Sequence, residues 1–314
     1  MNIKDNFVAY LMLLPFLCVF VVFLLIPVLY SFWLSFYKVG AYSDLFNVFS
    51  SMQWVGWENY IDLLLHDGEF RWSMLLTILY AGMTIPGTIC VSLVLALILN
   101  SGIFGKTFFR SAFFLPNVLD MLVVGFIWQL IYSPKFGVLT YFLDTYLGIT
   151  AFNENGFLGE PMIALPAIAF AMILKGSGFG MILFLASLGS INPALYEAAA
   201  IDGANRLETF VNITLPLLKP TILFLIVTGL MAALNGFTEI YAMTDARGGP
   251  NFVSGSGFFL SQTLGATKIA GFYLWERFSF GQFGYAAAMS YLMLIFALVI
   301  SYANARWLTP EEVK

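Results

Sequence analysis

Six stretches of this 314-residue chain are apolar for long enough to cross a lipid bilayer, approximately 8–36, 73–99, 108–132, 162–188, 216–243 and 284–304. At 1.5 Å of rise per residue, a helix over any of them spans about 30 Å of hydrocarbon. Lipid offers no water to peptide N–H and C=O groups, so the helix, which pairs them within the segment, is what these stretches dictate. Interior Pro15, Pro27, Pro86, Gly176, Gly178, Gly180 and Gly229 fit that reading, because neighbouring helices re-satisfy freed carbonyls. Composition agrees: 60% hydrophobic and 10% charged residues leave too little polar surface for a soluble fold. Only Lys4 precedes the first stretch, which ends in Tyr30-Ser31-Phe32-Trp33 rather than a small-residue cleavage site. It is therefore expected to be a span, not a cleaved signal peptide.

A net charge of −4 supplies no basic footprint, which excludes nucleic-acid partners. Cys18 and Cys90 both lie in apolar runs, excluding a disulfide framework or thiolate metal site. The single His66 sits in a polar loop with no ligand set expected around it, so no metal site is assigned. The chain has no Gly-x-x-x-x-Gly-Lys-Ser/Thr phosphate loop, no nucleophile elbow and no paired carboxylates in a soluble cleft. No catalytic residue is expected, and the chain is read as not an enzyme.

Loop charge gives an orientation. With the N-terminus inside, Lys4, Lys106, Arg110, Arg206, Lys219, Arg306 and Lys314 fall within about 50 inner residues, and Lys38, Arg71, Lys135, Arg247, Lys268 and Arg277 within about 100 outer ones. That density favours cytoplasmic N- and C-termini. Asp44, Glu58, Asp62, Asp67, Glu69, Asp144, Glu154 and Glu160 then lie mostly outside. The outer loops have room for short helices against the bilayer. Trp54, Trp57 and Tyr60 in the first, and Phe272, Tyr273 and Trp275 in the third, suit an interfacial position, either as membrane anchors or as a docking rim.

Between two apolar stretches lies a polar block, Tyr196-Glu197-Ala198-Ala199-Ala200-Ile201-Asp202-Gly203-Ala204, followed by Asn212-Ile213-Thr214-Leu215-Pro216-Leu217-Leu218-Lys219-Pro220. Asn192 is a good N-cap and Pro193 a good first helical residue. The alanine-rich body to Asp202 favours helix and presents little side-chain bulk, and Gly203 ends it in the left-handed conformation. Asn205 caps a second short helix over Arg206–Ile213, and Pro216 and Pro220 shape the entry to the next apolar stretch. The element is a helix, a sharp turn and a helix, either a connector or a docking device.

Glu197-Ala198-Ala199, Gly203, Ile213, Leu215 and Pro216 stand at the spacing of the cytoplasmic loop of bacterial ABC importer permeases, and the chain resembles that family. Flanking Ala200-Ile201-Asp202-Gly203-Ala204 and Leu215-Pro216-Leu217-Leu218-Lys219-Pro220 look like its carbohydrate-uptake branch, similar to maltose and glycerol-phosphate permeases. So do Val55-Gly56-Trp57-Glu58-Asn59-Tyr60, Tyr241-Ala242-Met243-Thr244 with Gly248-Gly249-Pro250, and Phe283-Gly284-Tyr285-Ala286-Ala287-Ala288. The resemblance implies an all-α integral membrane protein of six transmembrane helices with a cytoplasmic coupling-helix loop, the type I ABC importer transmembrane domain. Its parts would be an N-terminal span and outer loop (1–72), the permease domain (73–304) and a cytoplasmic tail (305–314). Glu197, Ala198, Ala199, Asp202, Gly203, Ile213, Leu215 and Pro216 would couple to ATPase subunits. The implied partners are a second homologous permease, two ABC ATPases, an extracytoplasmic solute-binding protein and a carbohydrate, in a bacterial inner membrane. ATP and Mg would be bound by the ATPases, leaving no cofactor in this chain.

Asp120, Lys175 and Glu239 are ionisable residues inside expected spans, where an unpaired charge costs several kcal/mol, so each should face a cavity or a partner helix. Asn235 and Glu239, four apart, are expected to share a helix face with Thr228 and Met231 below them. With Trp128 and Tyr285 as aromatic platforms, these are the substrate-path candidates; pairing of Asp120 or Glu239 with Lys175 for helix packing is the structural alternative. Two other functions stay open: an ion-coupled secondary transporter using Asp120, Lys175 and Glu239, and a membrane scaffold without transport.

Overall fold

A computed structural model of the chain describes residues 3–39, 52–244, 248–253 and 263–308. Asp44, Arg247 and Lys314, residues 254–262 of the third outer loop and the end of the tail lie outside the described residues. Helix α1 (Ile3–Phe20) runs through a π turn into α2 (Ile26–Leu34), and a small antiparallel pair, β1 (Tyr37–Lys38) and β2 (Gln53–Trp54), precedes α3 (Glu58–Ile61). Then follow α4 (Gly68–Asn100), α5 (Lys106–Val118), α6 (Met121–Ile131), α7 (Val138–Leu147), α8 (Ala164–Ser190), α9 (Pro193–Ile201) and α10 (Arg206–Thr209). The rest is α11 (Lys219–Leu234), α12 (Thr238–Met243), the pair β3 (Asn251–Val253) and β4 (Thr263–Gly265), α13 (Ala270–Ser279) and α14 (Phe283–Leu308).

Among the described residues, four helices are long and apolar enough to span a bilayer: Leu11–Leu34, Gly68–Asn100, Ala164–Ser190 and Phe283–Ala303. The other two expected spans are broken. The 108–132 stretch bends by 100° between α5 and α6, where Leu119 is extended and Asp120 starts a new helix. The 216–243 stretch enters through a 59° bend at Leu218, and its helix stops at Leu234; α12 is a separate short helix. Hydropathy records depth in lipid and is blind to a change of axis.

The chain divides into two compact units, Met1–Asp67 with Leu274–Ile295, and Gly68–Tyr273 with Phe296–Lys314. In the first, Ser35 is fully buried, its Oγ 2.7 Å from the Tyr60 hydroxyl, and Asn59 Nδ2 donates to the carbonyls of Ser35 (2.8 Å) and Tyr37 (3.1 Å). These bonds fix the end of α2 against α3. Tyr60 is buried here, while Trp54 and Trp57 are exposed, so only the tryptophans of that expected interfacial trio reach the surface. Gly284 opens α14 against the carbonyl of Tyr37, and a Cβ would overlap that oxygen. Tyr291 donates to the Val28 carbonyl at 2.7 Å, joining α14 to α2.

In the second unit α4 and α8 pack along their length through small residues. Gly87 lies against Ile173 and Gly180 against Ser92, whose hydroxyl donates to the Ser177 carbonyl at 2.9 Å. Helix α5 crosses α8 where Gly178 meets the backbone of Phe113, and α6 meets α12 at Gly125 and Ala242. A core of Ala96, Leu99, Met181, Phe184, Leu188, Leu218 and Leu225 closes the end next to α9. At another point on α4, Lys268 pairs with Glu69 at 2.7 Å, Trp72 Nε1 donates to the Gly265 carbonyl, and Thr77 Oγ1 accepts from the Ala270 amide. Phe272 and Tyr273 are fully buried by this packing, against the expectation that they lie at the membrane interface.

Candidate functional site

The second unit encloses a cavity of about 310 Å³ lined by α4, α8, α11, α12 and the α5–α6 break. Tyr80, Thr84 and Thr88 face it from α4, Lys175 and Phe179 from α8, Thr228 from α11, Asn117 and Met121 from the break, and Glu239 from α12. The helix stop after Leu234 puts Glu239 there. Asn235 caps α11, its Nδ2 donating back to the Met231 carbonyl at 2.8 Å, and the chain turns through Gly236 and Phe237 before α12 begins. Gly236 leaves room for the carboxylate, since a Cβ there would stand 2.8 Å from Glu239 Oε1. Glu239 is 7% exposed and accepts from the Tyr80 hydroxyl at 3.2 Å. Lys175 is half-buried and shares the cavity with Glu239 without forming a contact ion pair.

Of the six substrate-path candidates, Glu239 and Lys175 therefore meet in the cavity and the other four do not line it. Asn235 does not share a helix face with Glu239, because a helix break separates them, and Met231 is exposed. Asp120 is exposed and is the N-cap of α6, its carboxylate accepting from the Leu122 amide at 2.9 Å. Trp128 packs on Tyr132 and Phe170. Tyr285 belongs to the first unit, where its hydroxyl donates to Asp67 Oδ2 at 2.7 Å. Sequence reasoning missed Tyr80, Thr84 and Thr88, although a polar stripe at four-residue spacing in an apolar helix was there to be seen. It also missed that Asp62 lies one turn before His66 and bonds its Nδ1 at 3.0 Å. No group of three metal-ligating side chains occurs among the described residues.

The polar block folds as a helical elbow. Asn192 accepts from the Ala194 amide at 3.0 Å, Pro193 opens α9, and Gly203 turns the chain at φ +78°. Asn205 and Glu208 form a reciprocal capping box on α10, which continues as a π turn over Phe210–Thr214 into a short helical turn at Leu215–Leu217. Ala199 is buried and the Tyr196 hydroxyl lies 3.2 Å from Thr214 Oγ1, holding α9 to the returning segment. Glu197, Ala198 and Asp202 are exposed, and Ile213, Leu215 and Pro216 are half-buried. At the tip Ile201 and Leu207 are 86% and 71% exposed, apolar side chains left uncovered by the described residues.

Apolar helices long enough to cross a membrane, a polar cavity between broken helices and an exposed, self-capped elbow are the features of a membrane transport subunit. The chain belongs to the family of binding-protein-dependent transport system inner membrane components, whose model matches residues 68–310. It is 32% identical to the trehalose/maltose transport system permease protein MalF of Thermococcus litoralis, over 95% of this chain and 92% of that one. It is 33% identical to the multiple sugar-binding transport system permease protein MsmF of Streptococcus mutans, over 84% of each. Among solved structures, one from a bacterial ABC transporter that imports the acidic polysaccharide alginate matches with a TM-score of 0.74 and 25% identity, covering 97% of this chain and 96% of that one. The fold is that of a type I ABC importer permease.

Proposed function

We propose that this permease forms part of the translocation path of a carbohydrate importer, and that the cavity around Lys175 and Glu239 is where the sugar is held in transit. The cavity's chemistry supports this: three threonine hydroxyls, a phenol, an amide, a carboxylate and an ammonium group converge on one space, matching a ligand dense in hydroxyls. One cation and one anion leave its charge balanced, which suits a neutral glycan. The names of the related permeases support the same substrate class.

The elbow carries the coupling. Its exposed Ile201 and Leu207 and the small Ala198 give an ATPase subunit a low-profile apolar contact, and Glu197 adds a charge-assisted hydrogen bond at its edge. A second permease, two ATPases binding ATP and Mg, and a solute-binding protein complete the assembly in a bacterial inner membrane, with both termini and the elbow cytoplasmic. ATP-driven closure of the ATPases moves the elbow and opens the cavity outward; hydrolysis resets it.

Crosslinking tests this. In a background with Cys18 and Cys90 replaced by serine, Ile201→Cys is expected to crosslink to an ATPase subunit in a nucleotide-dependent way. Labelling of that position only from outside the cell, or absence of any ATPase adduct, overturns the reading.

A further inference from the structure

The first unit holds a cleft of about 360 Å³ that the transport path leaves unused. Lys38 on β1, Glu58 and Asn59 on α3, Asp62 in the next turn, Arg277 on α13 and Tyr285 on α14 line it. Its walls are held from behind. Asn59 is anchored on two carbonyls, Tyr285 donates to Asp67, and the Arg277 guanidinium lies 6.0 Å from the centre of the Tyr285 ring. Asn59, Tyr285 and Arg277 are thus held in place and Asp62 is bonded to His66 Nδ1 at 3.0 Å, while Lys38 and Glu58 are exposed at the rim.

Lys38 and Arg277 balance Glu58 and Asp62, so neither an anion nor a cation is favoured. Carboxylates, guanidinium and ammonium groups instead offer strong directional hydrogen bonds to hydroxyls. Trp54 and Trp57 flank the lining residues Val55 and Glu58 in the chain and are 63% and 64% exposed. Phe36 backs both indoles, stacked on Trp54 at 5.8 Å between centroids and edge-on to Trp57 at 5.1 Å. An indole face is negative and attracts the weakly positive C–H face of a sugar ring.

We propose that this cleft, together with the exposed Trp54 and Trp57 that adjoin its lining residues in the chain without lining it, forms a second carbohydrate site, which takes a neutral oligosaccharide. The inference rests on the carbohydrate reading above. It is separate from the cavity of Lys175 and Glu239, which lies in the other unit.

The assembled transporter in lipid nanodiscs, without its binding protein, is titrated with maltotriose, cellotriose, xylotriose and chitotriose, and saturation transfer to each sugar is read by NMR. At least one is expected to bind, with Trp57→Ala and Glu58→Gln each weakening it about five- to tenfold and Gly189→Ala, outside both the cleft and the cavity, leaving it in place. Trigalacturonate is expected to bind more weakly. Binding unchanged in both Trp57→Ala and Glu58→Gln overturns the site, as does no binding of any of these sugars. Quenching of Trp54 and Trp57 by brominated lipid, unrelieved by sugar, also overturns it and assigns the tryptophans to the membrane interface. If the complete system with its binding protein imports no carbohydrate at all, the broader reading has failed; import with an unresponsive cleft sinks only this inference.

Discussion

The phenol of Tyr80 donates to Oε1 of Glu239 across 3.2 Å, binding the long helix α4 to the short helix α12 at the wall of the cavity. The bond spans 159 positions of sequence and gives a buried carboxylate a side-chain partner on another helix. Leaving such an acceptor unsatisfied costs about 1–3 kcal/mol. Tyr80→Phe is therefore expected to lower the thermal stability of the purified complex and to reduce sugar uptake, whereas Thr88→Val, which touches the same cavity without holding Glu239, should reduce uptake with little change in melting. Equal melting of Tyr80→Phe and the parent protein would contradict this.

Asp120 is expected to act through its cap alone. As an N-cap, its role is an acceptor oxygen, which asparagine supplies as well. Asp120→Asn should keep uptake near the parent level, and Asp120→Ala should lose about 1 kcal/mol of stability. Loss of uptake in Asp120→Asn would show that the carboxylate's charge does more than cap α6.

At Gly203, φ +78° is a conformation that strains a β-branched side chain, though nothing lies within 4 Å of where a Cβ would stand. Gly203→Val is thus expected to deform the elbow without any clash, abolishing uptake while ATP hydrolysis becomes uncoupled or ATPase subunits detach. Gly203→Asn, tolerated at positive φ, should recover much of the activity. Uptake at parent level in Gly203→Val would show that the elbow's shape is immaterial.

Glycines within one helix should behave unequally. A Cβ at Gly178 drives into the backbone of Phe113, while at Gly189 it meets open space. Gly178→Ala should destabilise by about 1–3 kcal/mol, and Gly189→Ala should be neutral or slightly stabilising, both read from thermal unfolding in detergent.

The elbow was legible because its signals are local. Asn192, Pro193, Gly203 and Asn205 each act on their own backbone, and each sits where its chemistry placed it, though the second helix finishes as a π turn. The apolar stretches were legible for the same reason. The cavity was not, because it is made by helix breaks. Asn235-Gly236 is a readable helix stop, yet it lies inside an apolar run and was overruled by hydropathy. Asp120 was read for its charge when its position two residues before Leu122 made it a cap. Tyr285 and Asp67 meet across 218 positions, a distance no periodicity reports.

The caps on the elbow bear on how force passes through it. Asn192, Asn205 and Glu208 satisfy the ends of α9 and α10 from within the chain, so the element is rigid before any partner arrives. A motor of the kind proposed would spend little of its contact energy on ordering a floppy loop. Under the proposed coupling, its strokes in either direction would reach α8 and α11 as displacement, in the way a stiff handle turns a shaft.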